Sequence, residues 1–162
     1  MMIKKLLKKR WKDYKKLRLD ALRNEPQAFG SSYEEEVKLT KTEWTKRIDN
    51  ALFAVINDKP VGMIVYFFNT KQKTSHIAHI FGFYVAKQHR RLGIGSKLFE
   101  TAISTIKRNR HIRKIQLMVN PRQIAAIKIY EIQGFVKTGL LKRELMVKCK
   151  FHDELVMEKL LE

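Results

Sequence analysis

The sequence predicts a mixed α/β fold, and three observations carry that expectation. Strand-like apolar runs recur at 51–57, 61–68, 75–85 and 112–119. Amphipathic helical stretches stand between and around them. One run, ending Phe83-Tyr84-Val85, passes through a glycine-bearing turn straight into a helix. The chain has 162 residues, 44% of them hydrophobic and 10% aromatic, which is enough to bury a real core. No repeat, low-complexity tract or Pro/Gly/Ser linker divides it, so one domain over 1–162 is expected.

The elements follow in order. Residues 2–9 suit a short edge strand. Over 12–24, Tyr14, Leu17, Leu19, Ala21 and Leu22 recur at near-helical spacing until Pro26 stops the helix. Gly30-Ser31-Ser32 reads as a loop, and Thr40-Lys41-Thr42-Glu43 offers a capping box for a short helix through Ile48. These two helices and their loop would form one wall of a cleft. The strands 51–57 and 61–68 join through Asp58-Lys59-Pro60, which has hairpin character, and 75–85 is a third strand. From Gly93 to about Asn109, Ile94, Leu98, Ala102 and Ile106 share one helical face. After the strand 112–119, Pro121 suits the first turn of a helix reaching Gln133, with Gly134 as its C-terminal stop. Two last strands, about 135–148 and 151–160, turn near Cys149-Lys150.

Composition narrows the classes. The formal net charge is +18, which raises nucleic acid or an anionic surface as a partner. The lysines are scattered along every segment, and no aromatic-basic RNA-binding signature is present, which favours a lysine-rich soluble surface. Glu34-Glu35-Glu36 is the one local acidic run; beside Tyr33, it either faces a cationic substrate group or is solvated. The single cysteine, Cys149, excludes an internal disulfide, and no apolar run approaches the roughly 20 residues of a membrane span. Charges interrupt the first ten residues where a signal peptide would be apolar, so a cytoplasmic, reduced protein is expected, with no membrane partner. Cys149 lacks a helix N-terminus or a paired histidine to activate it, although His152 is close in sequence.

The segment Phe83-Tyr84-Val85-Ala86-Lys87-Gln88-His89-Arg90-Arg91-Leu92-Gly93-Ile94-Gly95-Ser96 carries the chemistry. A helix start leaves about four backbone N–H groups unpartnered, and its dipole favours negative charge there. Gly93 and Gly95 lack Cβ and allow close backbone approach, while Arg90 and Arg91 add cationic arms. The spacing lacks the Gly-Lys-Ser/Thr ending of a nucleoside-triphosphate loop and the third glycine of a dinucleotide fold. A phosphate site of another type remains.

These residues resemble the GNAT superfamily of acetyl-coenzyme A-dependent N-acetyltransferases over nearly the whole chain. Phe83-Tyr84-Val85 with Arg90-Arg91-Leu92-Gly93-Ile94-Gly95 is similar to the family's strand end and Arg/Gln-x-x-Gly-x-Gly/Ala turn. Gln123-Ile124-Ala125-Ala126-Ile127-Lys128-Ile129-Tyr130 followed by Gly134-Phe135 is similar to its second signature. Leu17–Leu22, Ala28–Tyr33 and Asp153–Met157 also look like stretches of bacterial members. Lys87 stands where many members have proline, and Gln123 where asparagine is usual.

The resemblance implies a GNAT fold: a mixed, mostly antiparallel sheet of about six to seven strands, flanked by about four helices and splayed at the cofactor site. It implies that acetyl-CoA is the co-substrate, with no metal, and that the acceptor is an amine of a small molecule or protein. Backbone N–H groups of Arg90, Arg91, Leu92, Gly93, Ile94 and Gly95, with the Ser96 hydroxyl, would hold the pyrophosphate. Phe83 and Val85 would offer main-chain hydrogen bonds, and Asn120 and Gln123 would orient the cofactor. Tyr130 would contact it and protonate the departing thiolate after direct amine attack in a ternary complex. Acceptor loops at about 25–50 and 139–150, including Tyr33, Glu34 and Glu35, would set specificity, and a homodimer is compatible. No general base stands out: His76 and His79, three apart on one strand, cannot share a face. The competing expectation is a non-catalytic acyl-CoA- or RNA-binding module, against which Tyr130 argues.

Overall fold

The computed structural model describes residues 1–162. Seven strands form one sheet in the order β1-β2-β3-β4-β5-β7-β6. They are β1 (Met2–Lys4), β2 (Ala51–Ile56), β3 (Lys59–Phe68), β4 (Ile77–Val85), β5 (Lys114–Val119), β6 (Val136–Val147) and β7 (Lys150–Leu160). All neighbours are antiparallel except β4 and β5. The helices are α1 (Trp11–Asn24), α2 (Tyr33–Glu36), α3 (Lys41–Arg47), α4 (Ile94–Lys107) and α5 (Ile124–Ile132).

Helices cover the sheet on both sides. Against one face, Leu98, Phe99, Ala102 and Ile106 of α4 meet Ile64, Ile115 and Leu117, with Tyr130 and Phe135 completing the cluster. Against the other, Tyr14 and Leu17 of α1 and Trp44 of α3 pack on Phe53 and Met63. Tyr14 stands edge-on to both Trp44 and Phe53, with centroids 5.3 Å apart in each pair. Each such side chain, taken fully out of water, contributes about 1.5–3 kcal/mol. On the central strands β3, β4 and β5, Phe67, Phe81 and Met118 are left exposed.

Four local differences from the sequence reading have physical causes. The edge strand ends at Lys4, because Leu6 turns into the core and residues 8–10 wind into a 3₁₀ turn. Ser32 opens a further short helix, α2, through a capping box with Glu35 equivalent to that of Thr40 with Glu43. The β2–β3 hairpin turns at Asn57-Asp58, both with positive φ, which matches strand twist and places Pro60 inside β3. Pro121 precedes α5: the Asn120 side chain accepts from the Arg122 amide at 2.9 Å, and this local turn delays the helix to Ile124.

The central irregularity lies in β4. Met63 pairs with Tyr84 but Val65 pairs with Phe81, so β4 carries one extra residue, and Gly82 adopts φ +62°. Pairing of β4 with β5 runs only from Ile77↔Lys114 to Ile80↔Leu117. Beyond that point β5 stays with β7 while β4 stays with β3. The two central strands therefore part, and a gap opens between them.

Candidate active site

The turn after β4 delivers the start of α4 to this gap. Gly93 is the N-cap, at φ +72° and with no side-chain cap, and the first helical bond runs from Lys97 N–H to the Gly93 carbonyl. The amides of Ile94, Gly95 and Ser96 thus have no intrahelical acceptor, and no acidic residue sits in the first turn. The two glycines do different work. A Cβ on Gly93 would meet nothing within 4 Å, so its backbone is open to an incoming group. A Cβ on Gly95 would come within 3.3 Å of both Ile129 Cδ1 and Phe83 Cζ, so that glycine seats α4 against β4 and α5.

Arg90 and Arg91 also divide. Arg90 donates through Nε to the Val85 carbonyl at 2.9 Å and pairs through Nη2 with Glu25 at 2.9 Å. It ties the turn down. Arg91, with φ +63°, is exposed and has no ion-pair partner. Glu25 also accepts from Gln123 Nε2 at 3.4 Å, so the end of α1, the turn and the start of α5 meet at one carboxylate. The Ala86 N–H is bonded to the Val61 carbonyl in β3, and strand alternation turns the Val85 N–H the other way, toward the gap.

A cavity of ≈ 470 Å³ fills the space between β4, the turn and α5, walled among others by Phe83, Val85, Arg90, Arg91, Gly93, Ile94, Gly95, Ser96 and Gln123. An adjoining chamber of ≈ 320 Å³ shares Phe29, Phe83, Gln123 and Ala126 with it, and adds Arg18, His79, Gly82, Asn120, Tyr130 and Glu154. Tyr130 packs its ring on Phe99 at 4.8 Å, and burial pushes its hydroxyl well above the usual phenol range. It is both a core ring and a wall of the chamber. Asn120 is buried and held by Arg122 and Gln27. Leu92 is exposed and outside both cavities.

Tyr33, Glu34 and Glu35 lie outside the walls of both cavities. The Tyr33 hydroxyl accepts from Arg23, and Glu35 is occupied in the α2 capping box. The acidic run is neither uniformly solvated nor a substrate face at Glu36: that carboxylate is buried, gripped by Arg18 at 2.9 Å on both oxygens and by Arg47 at 3.0 Å. Of the two histidines, His79 reaches the chamber, stacked on Phe67 at 4.8 Å; burial, then the charge of Lys114, lowers its pKa. Glu154 was silent in the sequence. It is buried on β7, and desolvation, then the nearby Glu144, raises its carboxyl above the usual range. Only the pairing of β7 with β5 brings it to the chamber, a relation across the whole chain.

The model of the acetyltransferase (GNAT) family matches residues 11–135. The chain belongs to the GNAT acetyltransferases. This acetyltransferase is similar to a GNAT-family acetyltransferase from Streptococcus pneumoniae, with 26% identity, 99% of each chain covered and a TM-score of 0.87. Two more distant structures share the fold. The ribosomal-protein-alanine N-acetyltransferase from Brucella melitensis has 22% identity, 99% and 100% coverage and a TM-score of 0.80. A phosphinothricin acetyltransferase from Sinorhizobium meliloti, in complex with acetyl-CoA, has 14% identity, 99% and 88% coverage and a TM-score of 0.78. No curated protein matches by sequence. The acetyltransferase is an acyl-transferring enzyme with the mixed seven-stranded sheet of its family, and no helix is long and apolar enough to cross a membrane.

Proposed function

We propose that the protein transfers an acetyl group from acetyl-CoA to a primary amine by direct attack in a ternary complex. The observation that carries this is the junction of two features: an uncapped α4 start with an open Gly93, and a gap between β4 and β5 that continues past Tyr130. The residues present fit the ligand. The amides of Ile94, Gly95 and Ser96, the Ser96 hydroxyl and Arg91 receive the pyrophosphate. Arg90 holds the turn in shape through Val85 and Glu25. The Val85 amide and the backbone at Phe83 line the gap for main-chain hydrogen bonds and polarise the acetyl carbonyl. Acetyl-CoA supplies the activated acetyl thioester.

The chain's side chains then handle protons. Glu154, aided by His79, takes a proton from the incoming ammonium, so that the amine lone pair can form the N–C bond. Tyr130, kept protonated by burial, gives its hydroxyl proton to sulfur as the C–S bond breaks. The nitrogen of the adduct gives up its second proton to the Tyr130 phenolate as the amide forms, and solvent takes the proton held by Glu154. Calorimetric titration with acetyl-CoA tests the cradle: Gly93→Glu, which adds a negative charge at the amides, should weaken binding at least tenfold, about 1.4 kcal/mol. Gly93→Ala serves as the control for backbone strain at φ +72°. Parent-like affinity in Gly93→Glu removes the pyrophosphate from this turn.

A further inference from the structure

Arg18 has a donor that neither the core nor the acetyl transfer uses. This α1 residue is 6% exposed, and its Nε and Nη2 are both engaged with Glu36 at 2.9 Å. Its third nitrogen, Nη1, is buried without a hydrogen-bond partner. A guanidinium is planar, so the two-point grip on Glu36 fixes where Nη1 aims. That nitrogen lies beside the β4 bulge: a Cβ built on Gly82 would sit 3.6 Å from it, and Arg18 and Gly82 both wall the smaller chamber. The other buried donor without a partner, Trp44 Nε1, belongs to neither cavity.

Charge and shape point to the same ligand. Arg18 and Arg47 share the single carboxylate of Glu36, so this cluster keeps one net positive charge beside the chamber. Buried charges require pairing, and a carboxylate is the natural partner of a guanidinium N–H. The same chamber presents Glu154 and His79 for an amine, and Phe67, Phe81 and Met118 as apolar wall. Gly82 directly precedes Phe83, which walls both cavities and whose backbone is proposed above to face the acetyl group. An anion held at Nη1 therefore sits close to where the amine must attack.

Resting on the acetyl-transfer reading above, we infer that the acceptor is a free α-amino acid with an apolar side chain, its carboxylate received by Arg18 Nη1. The amine, one carbon away, faces the acetyl carbonyl and the Glu154 side of the chamber. A polyamine or a lysine side chain brings no anion and leaves Nη1 unpaired.

The test is an acetylation assay of the purified protein with acetyl-CoA, preceded by calorimetry with acetyl-CoA alone. L-Leucine, L-methionine and L-phenylalanine are compared with isoamylamine and phenethylamine, with leucinamide, and with a peptide beginning in leucine. The free amino acids should show kcat/KM at least about tenfold above their carboxylate-free counterparts, the scale of one lost charged hydrogen bond. Arg18→Lys keeps a cation for Glu36 but loses the planar fork; it should raise KM for the amino acid while KM for the amine and Kd for acetyl-CoA stay put. The pair Arg18→Met with Glu36→Gln, which leaves only the solvent-reaching Arg47 without its partner, should abolish the preference. Failure of acetyl-CoA to bind the parent protein overturns the acetyl-transfer reading itself. With acetyl-CoA bound, the amino-acid assignment falls if no member of the panel is acetylated, or if amine, amide or peptide is turned over as well as the amino acid. It also falls if both Arg18 variants keep the parent's preference.

Discussion

At the scale of single residues, Tyr130 and Glu154 are two groups whose surroundings push them toward opposite tasks. Burial holds the Tyr130 phenol protonated, which suits a donor. Tyr130→Phe keeps the ring on Phe99 and removes only the O–H, so acetyl-CoA affinity should hold while kcat falls about 10²-fold. An unchanged kcat, with chemistry shown to limit the rate, would make Tyr130 a core ring only. Glu154 must be ionised to accept a proton, and desolvation with Glu144 raises its pKa. Activity should therefore climb with pH through that raised value, and Glu154→Gln should lose both the climb and most of kcat. The sign for stability is the reverse. A carboxyl raised in the fold favours the neutral form, so its contribution is present below the unfolded value of about 4.3 and is lost as pH rises through the folded one. Glu154→Gln should then melt above the parent at pH 7 and level with it in acid. A variant with the parent's melting and pH–rate curves would strip Glu154 of both roles.

Among elements, the join of α4 to β4 decides the site's shape. Gly95 allows α4 to approach Phe83 and Ile129 closely, so Gly95→Val forces side chains into occupied space and should cost about 1–3 kcal/mol, a loss of several degrees in melting. Scanning calorimetry reads it directly, and an unshifted melting point would mean the three elements are not close-packed there. This turn was legible in sequence because its whole chemistry is contiguous from Phe83 to Ser96. Thr40 and Glu43 were legible for the same reason. Ser32 and Glu35 follow the same rule, yet four residues carry no apolar period, and α2 reads as loop. The pairing of Arg18 with Glu36, 18 residues away, depends on how α1 packs on α2, and the arrival of Glu154 at the chamber depends on sheet order. No local pattern encodes that. Pro121 misled because the Asn120 side chain bonds ahead of it.

Over the whole molecule, the charge of +18 and the partly empty sheet act together. Of the two proposed ligands acetyl-CoA is an anion and the amino acid a neutral zwitterion, so a basic surface raises the local concentration of the first, an effect that salt screens over about 8 Å at physiological strength. The Arg18–Glu36–Arg47 cluster supplies the same sign locally, inside the fold. The parting of β4 from β5 has another meaning. Proteins ordinarily guard unpaired strand edges at the rim of a sheet, where another chain could add on. Here an unguarded edge lies in the middle of the sheet, from Phe81 to Val85, sheltered by the turn and by α5. An extended, amide-bearing ligand laid in that slot completes the hydrogen-bonding of the sheet as a missing strand would. The arm of acetyl-CoA, seated there as proposed above, would be a removable piece of secondary structure, and each turnover would take the protein from an interrupted sheet to a continuous one and back.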